Sequence, residues 1–153
     1  MNPTLPAPSL RTALREDLPE VLRLYAQPAF YNGRVPSLAE AERVFERMAR
    51  YPDYAVYVAE LDGRIVGTFA LLVMDNIGHM GTPSAIVEDV AIDPQLHGRG
   101  LGRALMQQAL ALCRDKGCYK LVLSSNLRRT EAHAFYEALD FEKHGYSYRV
   151  LLD

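Results

Sequence analysis

The residues best placed to do chemistry fall in one stretch, Ile86 to Arg103: IVEDVAIDPQLHGRGLGR. It reads as a strand over Ile86 to Ile92, a stop at Asp93-Pro94, and a loop that turns into a helix. Proline removes a ladder donor and biases its predecessor away from helix, so the strand ends there. The loop is His97-Gly98-Arg99-Gly100-Leu101-Gly102, after which Leu101, Ala104, Leu105, Ala109 and Leu112 recur at the spacing of an amphipathic helix. Three glycines let the main chain approach a ligand closely. A helix start adds unpaired amides and the positive end of a dipole. Together they predict a seat for a phosphate or pyrophosphate, with Arg99 and Arg103 adding formal charge.

Two acids precede the loop. Glu88 and Asp89 interrupt an otherwise apolar strand, where an ionisable group is costly unless it is paired or functional. Alternation puts Glu88 on the face of Val90 and Ile92, with Asp89 opposite. Glu88 is therefore the first candidate for a general base. Asp89 stands in reserve, because a bulge can swap which side chain faces a site. Structural ion pairs with Arg128 or Lys120 are the competing reading.

A glycine loop between strand and helix suits a dinucleotide, a nucleoside triphosphate or coenzyme A. The dinucleotide fingerprint wants glycine or alanine at position 103, where this chain has Arg103, and an acid roughly twenty residues on. Tyr119 to Thr130 holds no Asp or Glu, and no Gly-Lys-Ser/Thr run exists for a triphosphate loop. The spacing of His97, Gly100 and Gly102 resembles the pyrophosphate loop of the GNAT superfamily, the acyl-CoA-dependent N-acyltransferases. VEDVAIDP, HGRGLGRAL, GCYKLVLSSN and AHAFYEALDF follow in that family's order. His97 departs from the usual Gln or Arg, and Asp140 stands where most relatives have Gly.

The resemblance implies acetyl-CoA as co-substrate, no metal, and direct attack by an amine in a ternary complex. It implies that Val90, Ala91 and Ile92 pair with the pantetheine arm in a V-shaped slot beside a bulged central strand. It gives Tyr136 the task of protonating or steadying the departing sulfur. A phenol of pKa about 10 facing a thiol nearer 8.5 suits a hydrogen-bond donor better than a full acid. Asn126 matches the residue that bonds the pantetheine amide, although an Asn there also suits a plain turn. Arg128 and Arg129 could bind an anionic substituent of the acceptor, and His79 lies in a loop that could border it. SSNLRRTEAHAFYE is similar to aminoalkylphosphonate N-acetyltransferases, and GCYK with VEDVAI to glucosamine-6-phosphate N-acetyltransferases. The expected acceptor is a primary amine of a small, anionic metabolite. A protein or peptide acetyltransferase and a non-catalytic acyl-CoA sensor are the alternatives.

The rest of the chain must position this stretch. Its 153 residues suffice for one domain with a real core, and a net charge of −2 suggests no grip on nucleic acid or membrane. Cys113 and Cys118 lack metal-ligand spacing and read as free thiols of a reducing compartment, hence a cytoplasmic protein. Residues 1–8 read as a loose tail and 9–153 as one acetyltransferase domain; look-alikes suggest a homodimer by analogy.

Ser9 to Arg15 is a candidate strand. Asp17 and Glu20 read as caps of a helix with Leu18, Val21, Leu22 and Tyr25 inward. Ser37-x-x-Glu40 opens a second helix, and in the family these two helices wall the acceptor. Tyr54 to Leu61 and Arg64 to Val73 form a hairpin about Asp62-Gly63. Tyr119 to Ser125 is a strand reached by a crossover, so it should run parallel to Ile86–Ile92. Thr130 to Leu139 is a helix, and Phe141 to Leu152 reads as a hairpin about His144-Gly145. The fold class is α/β (α+β): a mixed sheet of six or seven strands, a splayed parallel pair, and four helices.

Overall fold

Asp62 and Gly63 turn the chain with φ of +52° and +76°. Positive φ at both central residues gives the turn whose twist matches a right-handed hairpin. It joins β2 (Tyr54–Leu61) to β3 (Arg64–Met74), as expected. In this computed structural model, which describes residues 2–152, β1 (Ser9–Thr12) lies antiparallel to β2. On the other side β4 (Ser84–Ile92) lies antiparallel to β3, and β5 (Leu121–Val122) runs parallel to β4. The chain divides into two compact units, Met1–Val122 and Leu123–Asp153, and the whole sheet belongs to the first. Met1 of the expected tail and Asp153 of the expected domain lie outside the described residues.

Among the described residues the sheet has five strands rather than six or seven. Phe141 to Leu152 forms no hairpin: Tyr146, Tyr148, Val150, Leu151 and Leu152 are all at least 76% exposed. Alternation stabilises a strand only when one face is buried, and here neither is. The strand expected over Tyr119 to Ser125 shrinks to β5, though Tyr119 still donates its amide to the Pro83 carbonyl at 3.0 Å.

Helices cover both sheet faces of the first unit. α1 (Leu18–Tyr25) buries Val21 and Leu24 against Val56, Val58, Ile65 and Ala91, with Phe45 and Met48 of α2 (Leu38–Met48) at the margin. α3 (Leu101–Asp115) buries Leu101, Leu105, Met106 and Ala109. A Cβ on Gly67 of β3 would stand 2.9 Å from Leu105 Cδ2 and 3.1 Å from Ile92 Cδ1, so α3 packs on the face that carries Ile92. Truncating a side chain as buried as Leu105 costs about 2–5 kcal/mol.

The caps divide. Glu40 donates its amide to Ser37 Oγ at 3.2 Å and its carboxylate accepts from Ser37 N at 2.9 Å, the reciprocal pair expected. Asp17 does not cap α1. Its carboxylate accepts from Leu14 N at 2.7 Å and from both terminal nitrogens of Arg11 at 2.6 and 2.9 Å. Glu20 pairs with Arg23 instead of reaching back. A buried carboxylate is better satisfied by a guanidinium fork than by one amide, so Asp17 staples β1 to the chain turning into α1.

In the second unit α4 (Thr130–Glu137) is followed by Asp140 at φ +66°, a left-handed conformation that accounts for Gly at this position in most relatives and that Asp tolerates.

Candidate active site

The glycine loop is anchored at its root by α1. Asp93 is 3% exposed, and its two oxygens take Gln95 N and Arg23 Nη1, each at 3.0 Å. Arg23 Nη2 also donates to the Ile65 carbonyl at 3.0 Å, and Gln27 Nε2 donates to the Ile92 carbonyl at 2.9 Å. The His97 ring lies 3.1 Å from that same carbonyl, which suits a ring N–H donor. Gly98 and Gly100 then take φ of +75° and +85°. Ala104 makes the first helical bond, to the Gly100 carbonyl at 3.1 Å, so the amides of Leu101 and Gly102 lie ahead of the ladder. With no side-chain cap at Gly100, those amides fit an anion. Arg99 and Arg103 flank them.

Just upstream, β4 carries a bulge. Ala70 pairs with Glu88 and Thr68 with Ala91, so Asp89 and Val90 together oppose Phe69. Asp89 takes φ +55°, a left-handed conformation that Asp tolerates better than most residues. The extra residue reverses the alternation. Glu88 shares its face with Ala70 and Val56, the α1 side, where Ala91 also packs. Ile92, opposite Gly67, faces α3. The expectation that Glu88 lies with Val90 and Ile92 is therefore corrected: the bulge carries the acid to the other face.

The edge of β4 toward β5 is also distinctive. Their parallel pairing ends at Ile86 with Val122. From Val87 to Ile92 that edge has no strand partner among the described residues. Val90, Ala91 and Ile92, the three expected to pair with an extended ligand, lie on this open length.

The acids sit among phenols that periodicity read only as packing. Partial loss of hydration raises the Glu88 carboxyl above the usual carboxylate range, with the neighbouring Asp89 charge adding to it. Loss of hydration alone raises Asp89. Burial raises the Tyr25 phenol, and the Asp89 charge raises it further, while the Thr68 hydroxyl beside it acts the other way. Burial also raises Tyr54, with Asp89 and then Glu88 reinforcing it. Tyr25 and Tyr54 thus belong to the surroundings of the two carboxylates. No local signal marked them, because α1 and β2 meet Asp89 only through the sheet. Within the first unit neither acid is in an ion pair among the described residues, so the pair with Lys120 is not formed.

The second unit holds the other candidates. Asn126 Oδ1 accepts from Arg128 N at 2.9 Å, and its carbonyl accepts from Arg129 N at 3.0 Å and faces the His133 ring at 2.8 Å. Asn126 therefore builds the turn into α4 that carries Arg128 and Arg129, both exposed. Tyr136 packs edge-on against Phe135 and Phe141 at 5.2 and 5.7 Å. Burial raises its phenol above the usual value, partly offset by Arg129.

The His79 ring is stacked on that of Tyr119, centroids 4.1 Å apart. Cys113 and Cys118 are free, and burial pushes the Cys113 thiol up to about 11, the wrong direction for a nucleophile. Among the described residues no three His, Cys, Asp or Glu side chains could hold a metal, and no helix is long and apolar enough to cross a membrane.

Residues 15–141 match the acetyltransferase (GNAT) family. The chain is 37% identical over 89 residues to the glucosamine 6-phosphate N-acetyltransferase of Trypanosoma brucei brucei, covering 58% of each. It is 34% identical over 92 residues to the aminoglycoside N(6')-acetyltransferase type 1 of Stenotrophomonas maltophilia, covering 58% of this chain and 60% of that one. The chain thus spans less than two thirds of the length of either relative. Among solved structures, a protein of Agrobacterium tumefaciens strain C58 superposes with a TM-score of 0.84 at 31% identity, over 94% of this chain and 99% of its own.

Proposed function

The chain belongs to the acetyltransferase (GNAT) family, and from that premise we propose that it moves an acetyl group from acetyl-CoA to a primary amine of a small, anionic metabolite. The observation that carries this reading is the open edge of β4 running from Val87 into the glycine loop. An extended amide-bearing arm can add to that edge as a strand, with its diphosphate on the amides ahead of α3. Acetyl-CoA would supply a thioester carbon open to attack.

On this reading Glu88, or Asp89, accepts the proton of the acceptor ammonium, directly or through water. A carboxyl raised by lost hydration is a stronger base than an ordinary one, which narrows its gap to an amine. The free amine then attacks the thioester carbon, the C–N bond forms, the C–S bond breaks, and the second nitrogen proton passes to the sulfur side, leaving an amide and a thiol. The departing thiolate receives a hydrogen bond or proton, the task that the family resemblance gives to Tyr136. Asn126 contributes its side-chain amide or its turn to the coenzyme arm. Arg128 and Arg129 offer charge to an anionic substituent of the acceptor. The relatives named for glucosamine 6-phosphate and for aminoglycosides support an amine on a sugar-sized molecule.

The test is a panel of amines with acetyl-CoA, following released thiol: amino sugars with and without phosphate, aminophosphonates, polyamines and aminoglycosides. Preference for the phosphorylated amines supports the reading. Equal turnover with and without the anion removes the arginine pair, and no turnover with any amine overturns the enzymatic assignment.

A further inference from the structure

Residues 3–8 run along the glycine loop and are bonded to it. Leu5 donates its amide to the Arg99 carbonyl at 2.9 Å, and Arg99 Nε donates to the Pro3 carbonyl at 3.1 Å. Between them Thr4 brings Cγ2 to 3.0 Å from where a Cβ on Gly100 would stand. Farther on, Gln108 of α3 donates Nε2 to the Pro8 carbonyl at 2.7 Å. The segment is thus held at both ends, once on the loop and once two turns into the helix. Prolines at 3, 6 and 8 fix φ and reduce the entropy lost when such a stretch is held extended.

The choice of partners matters. On the loop the segment uses the Arg99 carbonyl, which accepts and so cannot donate to a phosphate, and Arg99 Nε rather than the terminal nitrogens of that guanidinium. The amides of Leu101 and Gly102, ahead of the first helical bond, are not among its partners. A segment that plugged an anion seat would bring carbonyls to those amides. Gly100 also meets two separate demands, its positive φ and the close approach of the Thr4 methyl.

We propose that residues 3–8 are a positioning strap for the phosphate loop, clamping Arg99 and Gly100 so that the amides opening α3 are held converged before the coenzyme arrives. That the coenzyme is the ligand rests on the function proposed above; the clamping does not. The loop has flexible glycines on both sides of Arg99, so a loop without the strap must be ordered by its ligand, at a cost in affinity.

Two variants test this: a chain lacking residues 2–6, and Gln108→Ala in the full chain, which cuts the distant anchor without touching the loop. Hydrogen exchange of the Leu101–Ala104 amides, measured without coenzyme, should be faster in both. Binding of CoA, measured by calorimetry, should weaken about tenfold on truncation and about threefold in Gln108→Ala. The midpoint of thermal unfolding, which a merely structural role would lower, should move little in either. Unaltered exchange overturns the strap. Faster exchange with unaltered or tighter CoA binding overturns its positioning role, the tighter result marking a plug. Faster exchange in a protein whose full chain binds no CoA sustains the clamp and overturns the coenzyme reading instead.

Discussion

Val87 and Ala91 stand four residues apart on one strand and face opposite sides of the sheet. Val87 pairs with Leu71, while Ala91 pairs with Thr68 and packs with Val21 and Leu24 of α1. On an uninterrupted strand that spacing would put them on one face. The residue inserted between them is Asp89, held at φ +55°. The bulge does two things at once: it delivers Glu88 to the α1 side, and it leaves Ile92 against α3, next to the glycine loop. Glu88 and Ile92 are thereby set on opposite faces of the sheet while remaining on one continuous segment.

The backbone at Asp89 makes a prediction that separates strain from function. A left-handed residue other than glycine costs about 1–2 kcal/mol, less for Asp. Asp89→Gly should leave stability unchanged or raise it by up to about 1 kcal/mol. Asp89→Val should lower it by about 2 kcal/mol, because a β-branched residue tolerates that region worst. Denaturant melts check both, and a stable Asp89→Val would mean that the bulge does not need this conformation.

Two carboxylates should give pH dependences of opposite sign. Arg11 holds Asp17 below the usual range, with Leu14 N assisting against the cost of burial. Its stabilisation is present above the ordinary carboxylate pKa and is lost as pH falls through the lowered value. Asp89 is raised, so the folded protein binds its proton more tightly than the unfolded chain does. Its contribution is present below the ordinary value and is lost as pH rises through the raised one. Asp17→Asn should therefore flatten the acid side of a plot of melting temperature against pH. Asp89→Asn should raise the melting temperature at neutral pH. Matching slopes in both variants would contradict the assigned directions.

Much of this was legible where a residue type answers one backbone demand. Asp62-Gly63, Gly98, Gly100 and Asp140 all adopt the positive φ that their types suggest, and Ser37 with Glu40 makes the reciprocal cap. The bulge is implied by the family resemblance and not by local residues, because Asp89 is not glycine and nothing local announces the extra residue. Asp17 was misread because its partner, Arg11, offers two donors and lies in the preceding strand. Phe141 to Leu152 reads as a hairpin, but sequence pattern says nothing about whether a partner surface exists. Tyr25 and Tyr54 gain their meaning only from what the folded sheet sets beside them.

Gly67 links packing to the proposed coenzyme edge. It pairs with Ile92, and a Cβ there would come within 2.9 Å of Leu105 and 3.1 Å of Ile92. Both neighbours are side-chain tips, so they can give, but they belong to α3 and to the end of β4. Gly67→Ala should cost about 1–3 kcal/mol of stability. It should also weaken CoA binding several-fold by moving the helix start. Lost stability with unchanged CoA affinity would confine the effect to packing.

Tyr136 tests the end of the reaction. Its ring contacts with Phe135 and Phe141 involve no hydroxyl, so Tyr136→Phe should leave folding unaltered. Burial raises its phenol, which widens the unfavourable gap to a thiol that is already about 1.5 units. Full proton transfer to the sulfur then becomes harder, whereas donation of a hydrogen bond persists to higher pH. Turnover in Tyr136→Phe should fall about a hundredfold while the dissociation constant for CoA stays within a factor of about two. The basic limb of the wild-type pH profile should lie no lower than the ordinary phenol value of about 10, unless the acceptor amine sets it. Wild-type turnover in the Phe variant would remove Tyr136 from the chemistry, and a matching loss of CoA affinity would make it a binding residue.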